Sequence, residues 1–220
     1  ISLIGGGTKP QPGEVSLAHH GVLFMDEIPE YSRSSLEALR QPLEDGQVHI
    51  ARAAERVVYP ANIMLVATKN PCPCGFYGDP TRECDCTPTQ LVNYQRKLSG
   101  PLLDRIDLRL QVARVPEKDL LSRQDQPSQS LPARQIIAAA RQRQQERQGK
   151  LTNAQLPSPQ IAEITRLSQA AEQLLNQASS KLKLSARSYF KLIKVARTIA
   201  DLEPCPTIEA PHVAEALQYR

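Results

Sequence analysis

Two short apolar runs lead into polar side chains: VLFM, residues 22–25, precedes Asp26 and Glu27, and IMLVAT, residues 63–68, is closely followed by Asn70. Short runs that are apolar on both faces are typical of strands in a parallel sheet, which is covered on both sides. The acidic pair then lies at the carboxyl end of its strand. We therefore expect a buried α/β core with carboxylates at a strand end.

The segment between the two runs predicts a helix and a hairpin. In SRSSLEALRQPLEDG, the residues Leu36, Leu39 and Leu43 recur at helical spacing, a serine can cap the start, and Gly46 can end the helix. We expect one helix of about three turns. The runs VHI and RVVY, on either side of a small polar turn, predict a β-hairpin.

The rest of the chain separates into a short α/β stretch, a linker and a helical domain. QLVNYQRK predicts a helix, and DLRLQV, residues 107–112, predicts a final strand. Pro, Gln and Ser dominate the next segment and indicate a linker over residues 116–132. The predicted fold class is α/β, with a partial core over residues 1–115 and an all-helical domain over residues 133–220.

An acidic pair at the end of a core strand can act on the terminal phosphate of a nucleotide. Asp26 would hold a magnesium ion, directly or through water, and Glu27 would act as base for an attacking water. A bare Asp-Glu pair is also common where an acidic turn opens a helix and favours its dipole. The pair alone leaves both interpretations open.

Further motifs follow in a characteristic order: GVLFMDE, a helix, a hairpin, IMLVATKNP, SGPLLDRIDL and LSARSYFKLIKVARTIA. Over nearly the whole chain this order resembles the AAA+ ATPases, in the branch of the magnesium-chelatase ATPase subunits and the MCM helicases. NPCPCG and SLIGGGTKPQPGEVSLAHHGVLFMDE are most similar to the YifB/ComM group. The resemblance implies a truncated P-loop NTPase core with a helical lid. It also implies a homo-oligomeric ring, expected to be a hexamer, that hydrolyses ATP and acts in DNA branch migration during natural transformation.

The resemblance assigns roles to residues at both strand ends. Asp26 and Glu27 match the Walker B pair, so Asp26 would bind magnesium beside ATP. Asn70 matches the sensor 1 residue, which helps to orient the attacking water. The alternative for Asn70 is a structural residue of a turn, because Asn-Pro is a common turn dipeptide.

Two arginines match further positions of the family. Arg105 in PLLDRID matches the arginine finger, whose guanidinium would reach the γ-phosphate held by a neighbouring subunit. Arg187 in LSARSYF matches the sensor 2 arginine of the lid, which contacts ATP. The alternative for Arg105 is a structural ion pair with Asp104 or Asp107.

The sequence departs from the family in lacking a P-loop, G-x-x-x-x-G-K-[ST]. GGGTKP cannot replace it, because Lys9 precedes a proline and no helix is predicted to open behind it. In the family the P-loop lies upstream of this point. We therefore expect these 220 residues to be the C-terminal part of a longer ATPase and to be inactive alone.

Three basic residues are candidates for contacts with DNA phosphates. SLIGGGTKPQPGEVSL, which carries Lys9, resembles the helix-2 insert of this branch, and VHIARAAERVVY, with Arg52 and Arg56, resembles its pre-sensor 1 hairpin. Such contacts would be independent of base sequence and sensitive to salt. Residues 131–220 also carry 13 Lys and Arg against 7 Asp and Glu. The alternatives are a solvated hairpin whose arginines protect an edge strand, and a solvated helix surface.

Four of the five cysteines, Cys72, Cys74, Cys84 and Cys86, are spaced C-x-C-x9-C-x-C. Four thiolates on two short arms can converge tetrahedrally on a structural zinc ion, although the usual spacing is C-x-x-C. Free thiols and an oxidised pair are the alternatives. The odd count and the clustering favour a reducing compartment, and the cytoplasm is expected.

Two other functions are compatible with parts of the sequence. One is a magnesium-chelatase-type motor that drives metal insertion into a porphyrin. The other is a zinc-clipped nucleic-acid-binding module without ATP chemistry. No apolar run approaches the ~20 residues that a membrane span needs, so no membrane partner is expected.

Overall fold

A computed structural model describes residues 3–7, 10–51, 56–113 and 129–220. The structure is mixed α/β, with a small parallel sheet and several helices. The chain divides into two compact units, Ile1–Ile106 and Asp107–Arg220. Lys9 and Arg52 lie outside the described residues, as does most of the predicted linker.

The described strands of the first unit form two-stranded sheets. The antiparallel pairs are β1 (Gly5–Gly6) with β2 (Gln11–Pro12), and β4 (Gln47–Ala51) with β5 (Arg56–Pro60). The parallel pair is β3 (Val22–Met25) with β6 (Met64–Ala67), and its register places Met25 opposite Ala67. Both predicted core strands and the predicted hairpin are present. The carboxyl ends of β3 and β6 therefore lie side by side.

Only one face of the β3–β6 sheet is buried in the part of the chain that the structure describes. Leu23 and Met25 point into the core, whereas Val22 and Phe24 are 58% and 59% exposed. Successive side chains of a strand point to opposite faces, and the described elements cover a single face. The expectation that both faces of this sheet would be covered was therefore wrong for the described structure.

The helices of the first unit are short. They are α1 (Glu14–Leu17), α2 (Arg33–Ala38), α3 (Pro42–Asp45), α4 (Pro88–Arg96) and α5 (Gly100–Leu103). The single helix of about three turns that we expected is divided into α2 and α3. The reason is Pro42, which lacks an N–H and whose ring crowds the carbonyl four residues earlier.

The ends of that divided segment agree with the prediction. The hydroxyl of Ser32 caps α2 by accepting the N–H of Ser35 at 3.1 Å. Gly46 ends α3 with φ 66°, a left-handed conformation that glycine adopts without steric cost.

The core of the first unit forms between these helices and one face of each larger sheet. Its buried members are Val15, Leu23, Met25, Ile28, Leu36, Leu39, Val48, Ile50, Ala61, Leu98 and Leu102. This packing fixes the ends of β3 and β6 relative to α2 and α5.

The strand predicted over residues 107–112 is not formed. This segment has no strand pairing, and Leu108, Leu110 and Val112 are exposed. The N–H of Arg109 donates instead to the carbonyl of Tyr219 at 2.7 Å. Apolar alternation is not sufficient for a strand, because its backbone also needs a neighbouring strand to pair with.

The described elements of the second unit are helical, as its sequence predicts. They are α6 (Ser130–Gln148), α7 (Ser158–Ile164), α8 (Gln169–Leu182), α9 (Ala186–Leu202) and α10 (Ala210–Gln218). Helix α6 begins inside the predicted linker. The second core contains Leu156, Ile161, Ala171, Leu175, Leu192, Ile193, Ala196, Ile199, Ile208, Val213 and Ala216.

A buried ionic network joins α6 and α9. Asp201 and Arg197 are each 1% exposed, and Arg197 Nε donates to Asp201 Oδ1 at 3.1 Å. Arg147 of α6 donates to both carboxylate oxygens of Asp201, at 2.7 and 2.9 Å, and Asn153 Nδ2 donates to Oδ2 at 2.8 Å. Burial acts to raise the pKa of Asp201, but the hydrogen bonds from Arg147 and Asn153 and the charge of Arg197 outweigh it and lower that pKa.

None of the helices in the described part of the chain combines the length and the apolar character that crossing a bilayer requires.

Candidate functional site

The carboxyl ends of β3 and β6 bring four polar side chains together. Asp26 and Glu27 follow β3, and Thr68 and Asn70 follow β6. The parallel register places these residues at one edge of the sheet, where all four are exposed. Two residues separated by more than 40 positions in sequence thus become neighbours through strand pairing.

Thr68 connects the two acidic residues. Its Oγ1 donates to Asp26 Oδ1 at 2.5 Å and accepts the backbone N–H of Glu27 at 2.9 Å. The sequence interpretation did not include Thr68. The available signal was its place at the end of the second apolar run, on the same strand end as Asn70. A hydroxyl suits this position because it can donate and accept at the same time.

Asn70 contacts the second carboxylate directly. Its Nδ2 donates to Glu27 Oε1 at 2.9 Å. The structure therefore brings together three of the residues identified from the sequence, Asp26, Glu27 and Asn70. The amide holds the Glu27 carboxylate at the edge of the sheet.

The backbone of Glu27 is left-handed, with φ 47° and ψ 54°. This conformation costs a non-glycine residue about 1–2 kcal/mol, and such strain clusters at functional sites. The flanking backbone is held by β6, because the N–H of Ile28 donates to the carbonyl of Thr68 at 2.9 Å and the N–H of Thr68 to that of Met25 at 3.0 Å. The turn directs the chain out of the sheet directly behind Asp26.

The electrostatics of this edge suit a cation. Asp26 and Glu27 are exposed, and among the described residues neither carboxylate forms an ion pair with a lysine or arginine. Exposed carboxylate oxygens are the ligands that magnesium prefers, and Mg²⁺ commonly uses one or two of them together with waters and phosphates. The donor set therefore fits a magnesium ion bound through Asp26.

Tyr94 of α4 borders the same edge. It is 5% exposed, and the ammonium groups of Lys69 and Lys97 lie 5.8 and 5.7 Å from the centre of its ring. Burial raises the pKa of the Tyr94 phenol, and the negative charges of Glu30 and Glu27 raise it further. The sequence interpretation did not include Tyr94 either, because its position beside this edge depends on how α4 packs.

Arg105 contacts α3, α5 and the turn between α2 and α3. Its Nε donates to the carbonyl of Arg40 at 2.8 Å, one terminal nitrogen donates to the carbonyl of Pro101 at 2.7 Å, and the other pairs with Glu44. Asp107, a partner considered from the sequence, pairs with Lys191 at 3.0 Å. The guanidinium thus has structural partners within its own unit, and its role as an arginine finger stays a prediction.

The remaining candidate residues are placed as follows. Arg187 is half-buried in the first turn of α9, in the second unit. Arg56 is exposed as the first residue of β5, opposite Ala51. Lys9 and Arg52 lie outside the described residues. Contacts of these residues with ATP or DNA stay predictions.

The four clustered cysteines converge in space as well as in sequence. All four sulfur atoms lie within 4.8 Å of one another. The Sγ atoms of Cys72 and Cys74 are 3.3 Å apart, and that of Cys84 lies 3.7 Å from Cys72 and 3.5 Å from Cys74. None of the four forms a disulfide. The oxidised pair considered from the sequence is absent from this described segment.

Comparison with known proteins matches both parts of the chain to models of one protein family. Residues 1–120 match the family model described as magnesium chelatase, subunit ChlI, and residues 127–220 match the model of its C-terminal region. The chain belongs to the magnesium chelatase ChlI family. This family is related to the AAA+ ATPases, in agreement with the resemblance of the motifs.

Similar proteins within this group include YifB and ComM. The chain is 45% identical over 221 residues to YifB of Escherichia coli (strain K12), covering 100% of this chain and 43% of that protein. It is 46% identical over 220 residues to the competence protein ComM of Haemophilus influenzae, covering 100% and 42%. YifB of Salmonella typhimurium is 42% identical over 220 residues, with 100% and 43% covered. The chain thus spans less than half the length of the curated relatives that it matches.

Proposed function

We propose that this chain is the hydrolytic and lid part of a cytoplasmic AAA+ ATPase that works on DNA as a homo-oligomeric ring. The first unit would be the truncated P-loop NTPase core, and the second unit its helical lid. ATP would be held by a P-loop in a preceding part of the protein, together with Arg187 of the lid.

The observation that carries this proposal is the contact between Asn70 and Glu27 at the ends of two adjacent parallel strands. A water that contacts both the carboxylate base and the neighbouring amide can be aligned for attack on a terminal phosphate. Asp26, tied to the same edge through Thr68, would hold Mg²⁺. The ion would supply the positive charge that offsets the phosphate oxygens.

Glu27 would accept the proton of the attacking water. Its side chain is exposed, and its position is set by Asn70 and by the Thr68 bond to its N–H. A base must lie within hydrogen-bond reach of the proton that it removes, and the left-handed turn projects Glu27 from the edge. Arg105 would act on the nucleotide of a neighbouring subunit after exchanging Glu44 for phosphate.

DNA association is proposed from the relatives and from charge. ComM is named as a competence protein. Arg56 is exposed at the start of β5, directly after the connection between the two strands of the hairpin, and Arg52 belongs to that connection in sequence. Contacts with phosphates would be independent of base sequence and would weaken as salt increases.

The test is the ATPase rate of the full-length protein with and without branched DNA. Glu27→Gln keeps the shape of the side chain but removes the base, so we expect hydrolysis to fall about 100-fold or more, as for loss of a general base, while ATP binding is retained. Glu30→Gln is the matched control. Glu30 ends the 3-10 turn Ile28–Glu30 that directly follows Glu27, and its only described ion pair is an exposed one with Lys97. The ATPase activity of the Glu30→Gln protein should therefore stay near wild type.

Unchanged hydrolysis in the Glu27→Gln protein would refute the assignment of the site. Mixing the Glu27→Gln and Arg105→Ala proteins tests the ring. Partial recovery of activity would show that one subunit's base works with another's arginine, and no recovery in any mixture would argue against shared sites.

A chelatase-type motor is the second candidate, because the matching family model is that of a magnesium chelatase subunit. Such a motor would use ATP to insert a metal into a porphyrin rather than to act on DNA. Stimulation of the ATPase by branched DNA, lost at high salt, favours the DNA motor. No binding of DNA at low salt would favour the chelatase-type function.

A further inference from the structure

The loop between Asn70 and α4 lacks an apolar core of its own. Over residues 71–87, all of which the structure describes, it contains neither helix nor strand, and Cys72 is its only buried side chain. Ordering a residue costs roughly 1–2 kcal/mol of backbone entropy, which a loop with so little burial cannot offset through apolar contacts. A cross-link at the cysteines would supply the missing stabilisation.

The backbone around the cysteines forms a turn that aims N–H groups at sulfur. The N–H of Tyr77 points to the Sγ of Cys72 at 3.3 Å, and the N–H of Gly75 donates to the carbonyl of Cys72 at 3.1 Å. Gly75 has φ 84°, which permits this tight turn. N–H groups directed at sulfur stabilise thiolates, which are the form that binds metal.

We propose that Cys72, Cys74, Cys84 and Cys86 bind one zinc ion in a closed tetrathiolate site. The geometry fits this ion. Zinc–sulfur bonds of about 2.3 Å in a tetrahedron place the sulfur atoms about 3.8 Å apart. The three sulfur–sulfur distances of 3.3, 3.7 and 3.5 Å are close to that value.

The dimensions select a single ion over an iron–sulfur cluster. A cluster places several irons and inorganic sulfides between its cysteine ligands and so needs a wider arrangement of sulfurs. Here all four sulfurs lie within 4.8 Å of one another. Four protein ligands also leave no open position for substrate, so the zinc is structural rather than catalytic.

The position of the cysteines in the chain gives the ion a second structural role, which concerns Asn70. Asn70 lies two residues before Cys72, and Thr87, directly after Cys86, caps α4 by accepting the N–H of Gln90 at 3.3 Å. The backbone of Asn70 acts to lower the pKa of the Tyr94 phenol, so this residue of the same helix lies beside Asn70. The loop that carries the cysteines therefore connects the end of β6 to α4, and α4 in turn lies beside Asn70. The ion holds in place the segment that presents Asn70 to Glu27.

The test is the metal content of the whole protein, purified without added metal, measured by mass spectrometry. We expect about one zinc per chain, as for a closed structural site. Cys72→Ser and Cys84→Ser should lose most of the zinc, whereas Cys205→Ser should retain it. Cys205 is the matched control because it belongs to the second unit and is not one of the four clustered cysteines. Absence of zinc from the wild type, or equal zinc in all variants, would overturn the proposal.

A second measurement does not depend on the folding of variants. Wild-type protein is stripped of metal and reloaded with Co²⁺, which should develop the thiolate charge-transfer and tetrahedral bands of a four-sulfur site. Metal removal should also increase amide hydrogen exchange over residues 70–96 and leave the second unit unchanged. A cobalt spectrum without thiolate bands, or the absorption of an iron–sulfur cluster, would refute the zinc site. None of these readouts depends on ATP hydrolysis, so the two proposals can fail separately.

Discussion

Glu27 illustrates what a single residue can and cannot disclose. The sequence places it at the end of an apolar strand, but its left-handed backbone follows from contacts that span 41 residues. Thr68 makes those contacts, and nothing in the order of motifs distinguished it from its neighbours. Asn70 was identifiable because its position matches a family motif. Its partner, Glu27, became visible only when the two strands were paired.

The buried Asp201 network makes stability depend on pH. The folded pKa of Asp201 lies below the ordinary value of 3.8. Its ionised form therefore contributes fully above about pH 3.8, and the contribution is lost as the pH falls through the folded pKa. Replacing this aspartate with a neutral asparagine leaves two guanidinium groups without their carboxylate.

For Asp201→Asn we expect a loss of about 3–5 kcal/mol in the unfolding free energy of the second unit at neutral pH, since breaking a buried pair leaves an uncompensated charge. Urea unfolding at neutral and acidic pH measures it. Glu163→Gln, at an exposed position of α7, is the control and should differ from wild type by less than about 0.5 kcal/mol. A difference between the two proteins that does not decrease as the pH falls below about 3.8 would contradict this account.

At the scale of elements, local signals decided where helices and strands begin, and tertiary contacts decided which of them persist. Ser32 caps the start of α2 and Gly46 ends α3, as the sequence indicates. Pro42 divides the predicted helix. The run at residues 107–112 has the alternation of a strand, yet it lacks a partner strand in the described structure. Apolar alternation indicates which side chains of a strand could be buried, but it does not indicate whether a neighbouring strand is available for backbone pairing.

Helix α9, which carries Arg187, depends on its N-cap. The hydroxyl of Ser185 accepts the N–H of Ser188 at 3.2 Å. Ser185→Ala should lower the stability of the second unit by about 1 kcal/mol, because that N–H loses its partner. Ser180→Ala, at an exposed position inside α8, removes a hydroxyl without removing a cap and should be neutral or slightly stabilising. Equal effects of the two substitutions in chemical denaturation would show that the cap contributes nothing.

At the scale of the molecule, the residues that the structure describes form two hydrophobic cores, one in each unit. The structure also changes the interpretation of the positive charge in the C-terminal part. The basic excess of the C-terminal part was a candidate footprint for DNA. Arg143, Arg147 and Arg197 of that excess donate to Asp201 through its backbone or side chain. Part of the positive charge is therefore committed to the helical core.

The two cores should unfold as distinct cooperative units. Leu39 and Leu175, 0% and 1% exposed, are comparable core leucines in the first and second units. Each Leu→Ala substitution should cost about 2–5 kcal/mol in its own unit only. Hydrogen exchange followed by peptide analysis separates the two, and each variant serves as the control for the other. If either substitution increased exchange equally in both units, the chain would unfold as a single cooperative system.

By itself, the amino-acid sequence determined the α/β character of the first unit, the helical character of the second, and the candidacy of Asp26, Glu27, Asn70 and the four cysteines. These properties follow from local periodicity, capping residues and motif order, all of which are written in neighbouring positions. The tertiary structure alone decided that Thr68 joins the acidic pair, that Arg105 pairs with Glu44, and that one face of the β3–β6 sheet is buried. It also placed the four sulfurs together. Those outcomes depend on strand register and helix packing, which bring distant residues into contact through the free energy of the whole fold.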